Sequence, residues 1–402
     1  MRPNTSLAAP AVRSGPRTLR ILGTASTLIP GLLQRARSDL GFHIEGIVLD
    51  GNLAHRTGVT GPESFDVYDQ WFHNLEFVWT AHAIRPIEVD RMLRYRGAEA
   101  ALDNCATIGR ESSGSVPAGL LYVQGDSRLG ATPTDRISML PLTHCADSFG
   151  YRPEAMPEGF DQKEESWSWL VDRAWRRVVL QSNASIGAID AILAVRAAGL
   201  LEVEDPGNLT VHEIDRLMAV LMELRAGGHF LGFWSTQADS AELFSRSRAR
   251  IGSIWSSALA LPGLRHTSFR TAAPKEGYRG WYGGMALSRH IEAITLDMAY
   301  EYMGWWLDGW PGAVVARQGY YFSVPESARR HMTDAEWDYW YGGRQAQCAL
   351  PGVDGAELVP KGALREGGSY NERMSAIAVW NSVMDEHNYL VRRWHDFLNY
   401  RR

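Results

Sequence analysis

Short apolar runs alternate with amphipathic helical patterns along nearly the whole chain, and this alternation restricts the fold more than any other feature. Leu19–Gly23 reads as a strand closed by a glycine, and Ile29–Leu40 then carries helical spacing. Further strands are predicted at Phe42–Leu49, Phe65–Tyr68 and Ile137–Leu142, with a polar-aromatic loop over Asp69–Asn74. The spacing predicts a helix over Phe160–Trp175, a strand at Arg177–Leu180 and a helix over Ile186–Ala198, entered through the polar run Gln181–Ser185. Thr210–Ala226 is strongly amphipathic, with Ile214, Leu217, Met218 and Leu221 on one face. Beyond it come a strand at Phe230–Phe233, a helix at Ala238–Ser247 and strands at Arg250–Trp255 and Tyr278–Leu287. Helices over Ile291–Leu307 and Trp310–Arg317 follow, and Arg373–Tyr400 is the longest helical pattern. Such alternation implies α/β architecture with mostly parallel sheets. A chain of 402 residues is long enough for two lobes with separate cores.

Charge removes several function classes. The chain has 41 basic against 46 acidic side chains, a net charge of −5, so it has no strong basic field for nucleic acid or an anionic membrane. Only three cysteines occur, Cys105, Cys145 and Cys348, without a CxxC pair, so a structural metal site is not expected and at most one internal disulfide can form; no cofactor is expected either. No apolar run approaches the roughly 18 residues of a membrane span. Residues 1–17, with their arginines and prolines, read as a disordered, mildly basic tail without the apolar centre of a signal peptide. Either the protein works in the cytoplasm or an export leader has been removed.

The phosphate loop GxxxxGK[ST], the GxSxG elbow, the HExxH helix, the EF-hand loop and a dinucleotide fingerprint after the first strand are all missing from the sequence. A binding protein needs none of them. What the composition supplies instead is aromatic surface: 15 Trp, 15 Tyr and 12 Phe, residues that pack cores and also stack on ligands.

Seven segments carry a resemblance. LRILGTASTLIPGLLQRA (19–36) is a strand, loop and proline-entered helix, and FDVYDQWF (65–72) is a strand leading to a cleft. SMLPLTHCADSFGYRPE (138–154) and APKEGYRGWYGGMALSR (273–289) look like two hinge crossings. Between them lie SWSWLVDRAWRRVVLQSNAS (166–185) and ELFSRSRARIGSIWSSA (242–258), and the last is AYEYMGWWLDGWPGAVVARQGYYFSVPE (299–326). Taken in order, from Leu19 to Glu326, they resemble the extracellular solute-binding proteins of the spermidine/putrescine-type class, the receptors of bacterial ABC importers.

The resemblance implies a type II periplasmic-binding fold, two α/β lobes joined by hinge strands with a ligand cleft between them. Lobe one would hold residues 1–145 and 283–322, lobe two residues 146–282, with crossings near Thr143–Asp147 and Gly280–Gly284. Residues 323–402 would form a C-terminal helical segment packed mainly on lobe two. The implied role is capture of a small solute by hinge closure, as a periplasmic monomer that delivers to ABC permease subunits. Cleft positions carried over by segment are Thr24, Ser26, Asp69, Trp71, His73, His144, Asp147, Gln181, Ser182, Asn183, Trp234, Ser235, Trp255, Trp281 and Tyr282.

Departures from the class bear on the substrate. Polyamine receptors place an aromatic where this chain has Thr24, and carboxylates where it has Asn183, Ile186 and Gly283. A dication would lose charge-assisted bonds of roughly 1.5–3 kcal/mol each. A different small polar organic solute is therefore expected. Plainer readings stand beside these. Trp167, Trp169, Trp175, Trp305 and Trp306 suit core packing, Gln181–Asn183 suits a helix cap, and Asp69 suits a turn. Two other functions also use this fold: a thiaminase-like transferase with Cys145 as nucleophile, and a leaderless cytoplasmic sensor.

Overall fold

The computed structural model describes residues 17–245, 248–261, 264–265 and 268–400. The expected basic tail, apart from Arg17, lies outside them, as does the end of the helix expected over Ala238–Ser247.

The first lobe starts with strand β1 (Thr18–Gly23), whose Leu19, Ile21 and Leu22 are fully buried. It ends on a glycine for a steric reason: a Cβ at Gly23 would stand 2.9 Å from the Asp69 carbonyl of a neighbouring strand. Helix α1 (Pro30–Leu40) begins with proline where no N–H is needed, and closes at Gly41 in the left-handed region, φ 72°. Strand β2 (His43–Val48), helix α2 (Gly51–Thr60, capped by the Asp50 carboxylate) and strand β3 (Val67–Trp71) follow. β1 lies between β2 and β3 and runs parallel to both.

The chain leaves through β4 (Leu140–Asp147), buried at every residue, and enters the second lobe with β5 (Phe149–Tyr151). That lobe is built from β6 (Val178–Gln181), α3 (Ala184–Ala197), α4 (Val211–Ala226), β7 (Phe230–Trp234), α5 (Gln237–Ser245), β8 (Ile251–Ser253) and β9 (Arg270–Thr271). A Thr210–Glu213 capping box starts α4. The sheet order is β7-β6-β8-β5-β9, parallel among β6, β7 and β8 and antiparallel around β5.

The return strand β10 (Tyr278–Ser288) is followed by α6 (Ala293–Leu307), α7 (Trp310–Ala316), β11 (Tyr321–Phe322), α8 (Asp334–Trp340), β12 (Ile377–Trp380) and α9 (His387–Asn399). β10 lies antiparallel between β4 and β3 in the order β11-β4-β10-β3-β1-β2, and β12 runs parallel to its first residues.

Several expectations change in three dimensions. β4 and β10 stay paired from Leu140–Met285 to Arg279–Asp147. Neither strand can leave the first sheet inside that ladder, so the crossings fall at Ser148 and between Thr271 and Tyr278, just beyond the expected stretches. Phe160–Trp175 is not a helix: it holds short turns at Gln162–Glu164 and Trp167–Leu170. Trp167 and Trp169 both point into the second core, whereas residues two apart on an α-helix face roughly opposite ways. Arg373–Tyr400 is interrupted by β12, where Trp380 is buried and donates its indole N–H to the Gly109 carbonyl at 3.0 Å. Sheet pairing there outweighs the local helical pattern. Within residues 323–402, Val324, Ala328, Tyr339, Trp340 and Met374 pack in the first core, whereas Val379, Met384 and, on α9, Leu390, Trp394 and Phe397 pack in the second. The C-terminal segment is thus divided between the lobes, because β12 re-enters the first sheet before α9 crosses.

Candidate functional site

Strand alternation sorts the side chains at the hinge. On β4, Cys145 and Asp147 face one side and His144 the other; on β10, Trp281 and Tyr282 part in the same way. The first set meets the ends of both lobes at a small cavity lined by Ser26, Trp71, Ile186, Trp255, Trp281, Tyr320 and Asn381. Trp71 and Trp255, from opposite lobes, approach to 6.1 Å between ring centroids, and Trp281 meets Tyr320 edge-on at 5.0 Å. The cavity offers only about 10 Å³ to the centre of a water molecule, about one water. The lobes are closed over it: Gln237 Nε2 donates to Ser26 Oγ at 3.0 Å, and Asn183 Nδ2 to Asn52 Oδ1 at 2.5 Å.

Behind the rings lies a buried charged network. Asp147 accepts from Trp281 Nε1 at 2.8 Å and from Ser256 Oγ at 3.2 Å, and sits 3.9 Å from Arg279. Arg279 Nε reaches Asp190 on α3 at 2.7 Å, and its Nη1 donates to Asn381 at 2.8 Å. Burial pushes the Asp190 carboxyl up to about 6, against the pull of Arg279. Burial alone would lower Arg279, but Asp190 and Asp147 outweigh it and keep the guanidinium charged. The network fixes the Trp281 ring and ties the first-lobe strand to a second-lobe helix.

Of the residues carried over from the sequence, Ser26, Trp71, Trp255 and Trp281 line the cavity, and Asp147 stands directly behind it. The others lie elsewhere. Thr24 belongs to a turn in which its carbonyl accepts from Leu28 N at 3.0 Å. His144 and Tyr282 stack on each other at 4.7 Å inside the first lobe, on the opposite strand face, with His144 bonded to the Tyr370 hydroxyl at 3.0 Å. Trp234 backs Trp255 edge-on at 5.1 Å and donates to the Ser253 carbonyl. Ser235 is exposed and bonds Asp239. Gln181 accepts from Asn183 N at 2.5 Å within its own loop. Ser182 and Asn183 open instead onto a neighbouring interlobe pocket with Asn52, His55 and His387, and Asn183 caps α3. His73 is buried beside Trp71, stacked at 5.9 Å, and burial, with the charges of His55 and Arg279, pushes it down to about 3.

Asp69 lies under the first loop, away from the cavity lining, and burial pushes its carboxyl up to about 7 despite a bond from Thr27. Its folded value exceeds the unfolded 3.8, so the proton it retains favours the fold at low pH, and that contribution is lost as pH rises from about 4 to about 7. Asp69→Asn, which has no charge to bury, should therefore gain stability relative to the parent between about pH 5 and about pH 8 in denaturant titrations. An equal difference at both pH values would rule out a protonated Asp69.

Sequence reasoning matched Ile186 to a carboxylate position of the class without placing it in the cleft lining, and it missed Tyr320, Asn381, Ser256, Arg279 and Asp190. Ser256 and Tyr320 each adjoin or lie inside a quoted segment, but no local pattern distinguishes a residue that folding turns toward the cleft. Asn381 sits in the stretch misread as helix. Among the described residues no group of three or more His, Cys, Asp or Glu side chains is arranged to hold a metal, and no helix is long and apolar enough to cross a membrane.

No family model and no curated protein matches this sequence. Solved structures do. A candidate spermidine/putrescine ABC transporter from Listeria monocytogenes superposes with a TM-score of 0.64 at 14% identity, over 96% of this chain and 99% of that one. The substrate-binding protein PotD of a spermidine/putrescine ABC transporter from Streptococcus pneumoniae, in complex with calcium and HEPES, gives 0.61 at 14% identity, over 95% and 100%. The fold is the type II periplasmic-binding fold. The binding protein AgtB from A. tumefaciens R10, in complex with agropinic acid, shares it with a TM-score of 0.57 at 13% identity, over 95% and 98%. Likeness at such identity is one of fold. Two of these proteins are named for spermidine and putrescine, and the third holds agropinic acid.

Proposed function

We propose that this protein is the solute-binding receptor of an ABC importer, a periplasmic monomer that closes on a small polar organic solute and delivers it to permease subunits. The observation that carries this reading is the aromatic cavity at the hinge. Trp71, Trp281 and Tyr320 from one lobe meet Trp255 from the other; the space, which holds about one water as closed here, widens as the lobes part, and a solute taken up between the rings contacts both lobes and favours closure around it. Rings grip apolar or cationic faces, while Ser26 and Asn381 orient polar groups.

A polyamine fits poorly. Among the described residues no carboxylate lines the cavity, and Asp147 behind it is already engaged by Trp281, Ser256 and Arg279, which leaves a dication without a free partner there. A thermal-shift screen over amino acids, opines, polyols, betaines and polyamines tests the proposal. A true ligand at one hundred times its Kd adds about 2.7 kcal/mol of stability. Shifts with spermidine or putrescine alone would overturn the substrate inference, and no shift with any class would overturn the receptor reading.

Catalysis by Cys145 is disfavoured. Its thiol is fully buried, burial pushes it up to about 12, and its contacts are Ser256 and the Gly319 carbonyl. A nucleophilic thiol is held low and open to substrate. Iodoacetamide should label exposed Cys348 in the native protein and reach Cys145 only on unfolding, as read by peptide mass spectrometry. Rapid, ligand-protected labelling of Cys145 would favour a transferase.

A further inference from the structure

A second cavity, of about 460 Å³, opens between the lobes beside the hinge, on the far side of Ser256 and Gln318 from the aromatic one. Its volume is that of small-molecule sites, about 300–1,000 Å³. Leu259 and Phe269 form an apolar wall from the second lobe; Trp340, Arg365 and Arg373 face them from the first.

The charge in this cavity is unbalanced. Arg373 is 2% exposed, and its two terminal nitrogens donate to the Glu366 and Ala146 carbonyls, each at 2.6 Å. Arg365 lies 4.8 Å over the Trp340 ring and donates to the Gly319 carbonyl at 3.3 Å. Both Nε atoms, and the Trp340 indole N–H in the same wall, are buried without an acceptor. Neither of these two guanidinium groups has an ion-pair partner among the described residues, whereas Arg265 pairs with Asp354 at 2.9 Å and Arg270 with Glu165 at 3.1 Å. Glu366, which also lines the cavity, is taken by Arg270 at 2.9 Å. Carbonyl oxygens satisfy hydrogen bonds but bring no countercharge, and arginine does not escape burial by losing its proton. Two cationic forks, a spare indole donor and an apolar wall are therefore gathered around one space.

We propose that this cavity is a second ligand site, taking the oxyanion group of a small organic anion between Arg365 and Arg373, with the apolar body of that anion on Leu259, Phe269 and Trp340. Carboxylate and phosphate share this chemistry. The test adds benzoate, phenyl phosphate and uncharged benzyl alcohol separately to the full chain carrying ¹⁵N-labelled tryptophan. At least one anion should shift the Trp340 indole N–H saturably while benzyl alcohol does not, and the tighter anion identifies the group. Trp340→Phe assigns the signal. Arg365→Gln removes one weak backbone bond and the guanidinium over the Trp340 ring, so each titration is referenced to its own ligand-free signal; it leaves the hinge intact and should weaken the anion about tenfold or more. The proposal is overturned if neither anion moves that signal, if benzyl alcohol moves it equally, or if Arg365→Gln binds as the parent does. A failure here is distinguishable from a failure of the receptor reading, because Trp255→Ala removes a ring that lines the aromatic cavity and not this one.

Discussion

Arg279→Met should lower the unfolding free energy by about 3–5 kcal/mol, the usual cost of removing one partner from a buried ion pair. Arg279 is fully buried at the point where β10, α3 and the segment after β12 meet, and its nitrogens serve Asp190, Asn381 and Asp147. Methionine fills much of the volume but leaves Asp190, also 0% exposed, without its cation. Chemical denaturation of the parent and the variant measures the loss. Arg279→Met combined with Asp190→Leu should recover most of it, since the orphaned carboxylate is then gone. If the single variant is as stable as the parent, the network does not hold the lobes and the hinge reading of Arg279 is wrong.

Trp255→Ala should cost at least about 2 kcal/mol of binding, roughly thirtyfold in Kd, toward whichever solute the screen identifies. The ring is the one aromatic that the second lobe contributes to the cavity lining, so its loss removes the contact that makes closure ligand-dependent. It is only partly buried, so the unliganded protein should melt close to the parent. Trp167→Ala gives the opposite pattern. That indole is completely buried in the second core, and truncation should cost about 3–5 kcal/mol of stability while affinity, measured below the melting range, stays near the parental value. Calorimetric titration and thermal melts of both variants separate the two. Equal affinity in Trp255→Ala and the parent would remove this cavity as the binding site.

The two patterns also mark how far local information reached. Trp167, Trp169 and Trp175 are core residues as their spacing suggested, although the helix expected to carry them is a pair of turns. Strand and helix order was readable because β1 is a short apolar run closed by a glycine and α1 buries Leu32, Leu33 and Ala36 at helical spacing, signals that a short window registers. β12 was not readable: Ile377–Trp380 pairs with β10, some hundred positions earlier, and no window of sequence contains that partner. The same limit explains why His144 and Tyr282 were expected at the cleft alongside Asp147 and Trp281. Neighbouring strand residues look alike in a string of letters, and one pleat sends them to opposite faces.

The sequence by itself determined the alternating α/β architecture, the absence of a basic field, and an aromatic-rich chain whose segment order resembles a solute receptor. Only the tertiary structure decided which residues converge. The crossings at Ser148 and before Tyr278, the division of the C-terminal segment between the lobes, the Asp147–Arg279–Asp190 network and the cavity beside Arg365 and Arg373 all join residues far apart in the chain. Their geometry is set by sheet register and by the burial of charge, which act through space rather than along the sequence.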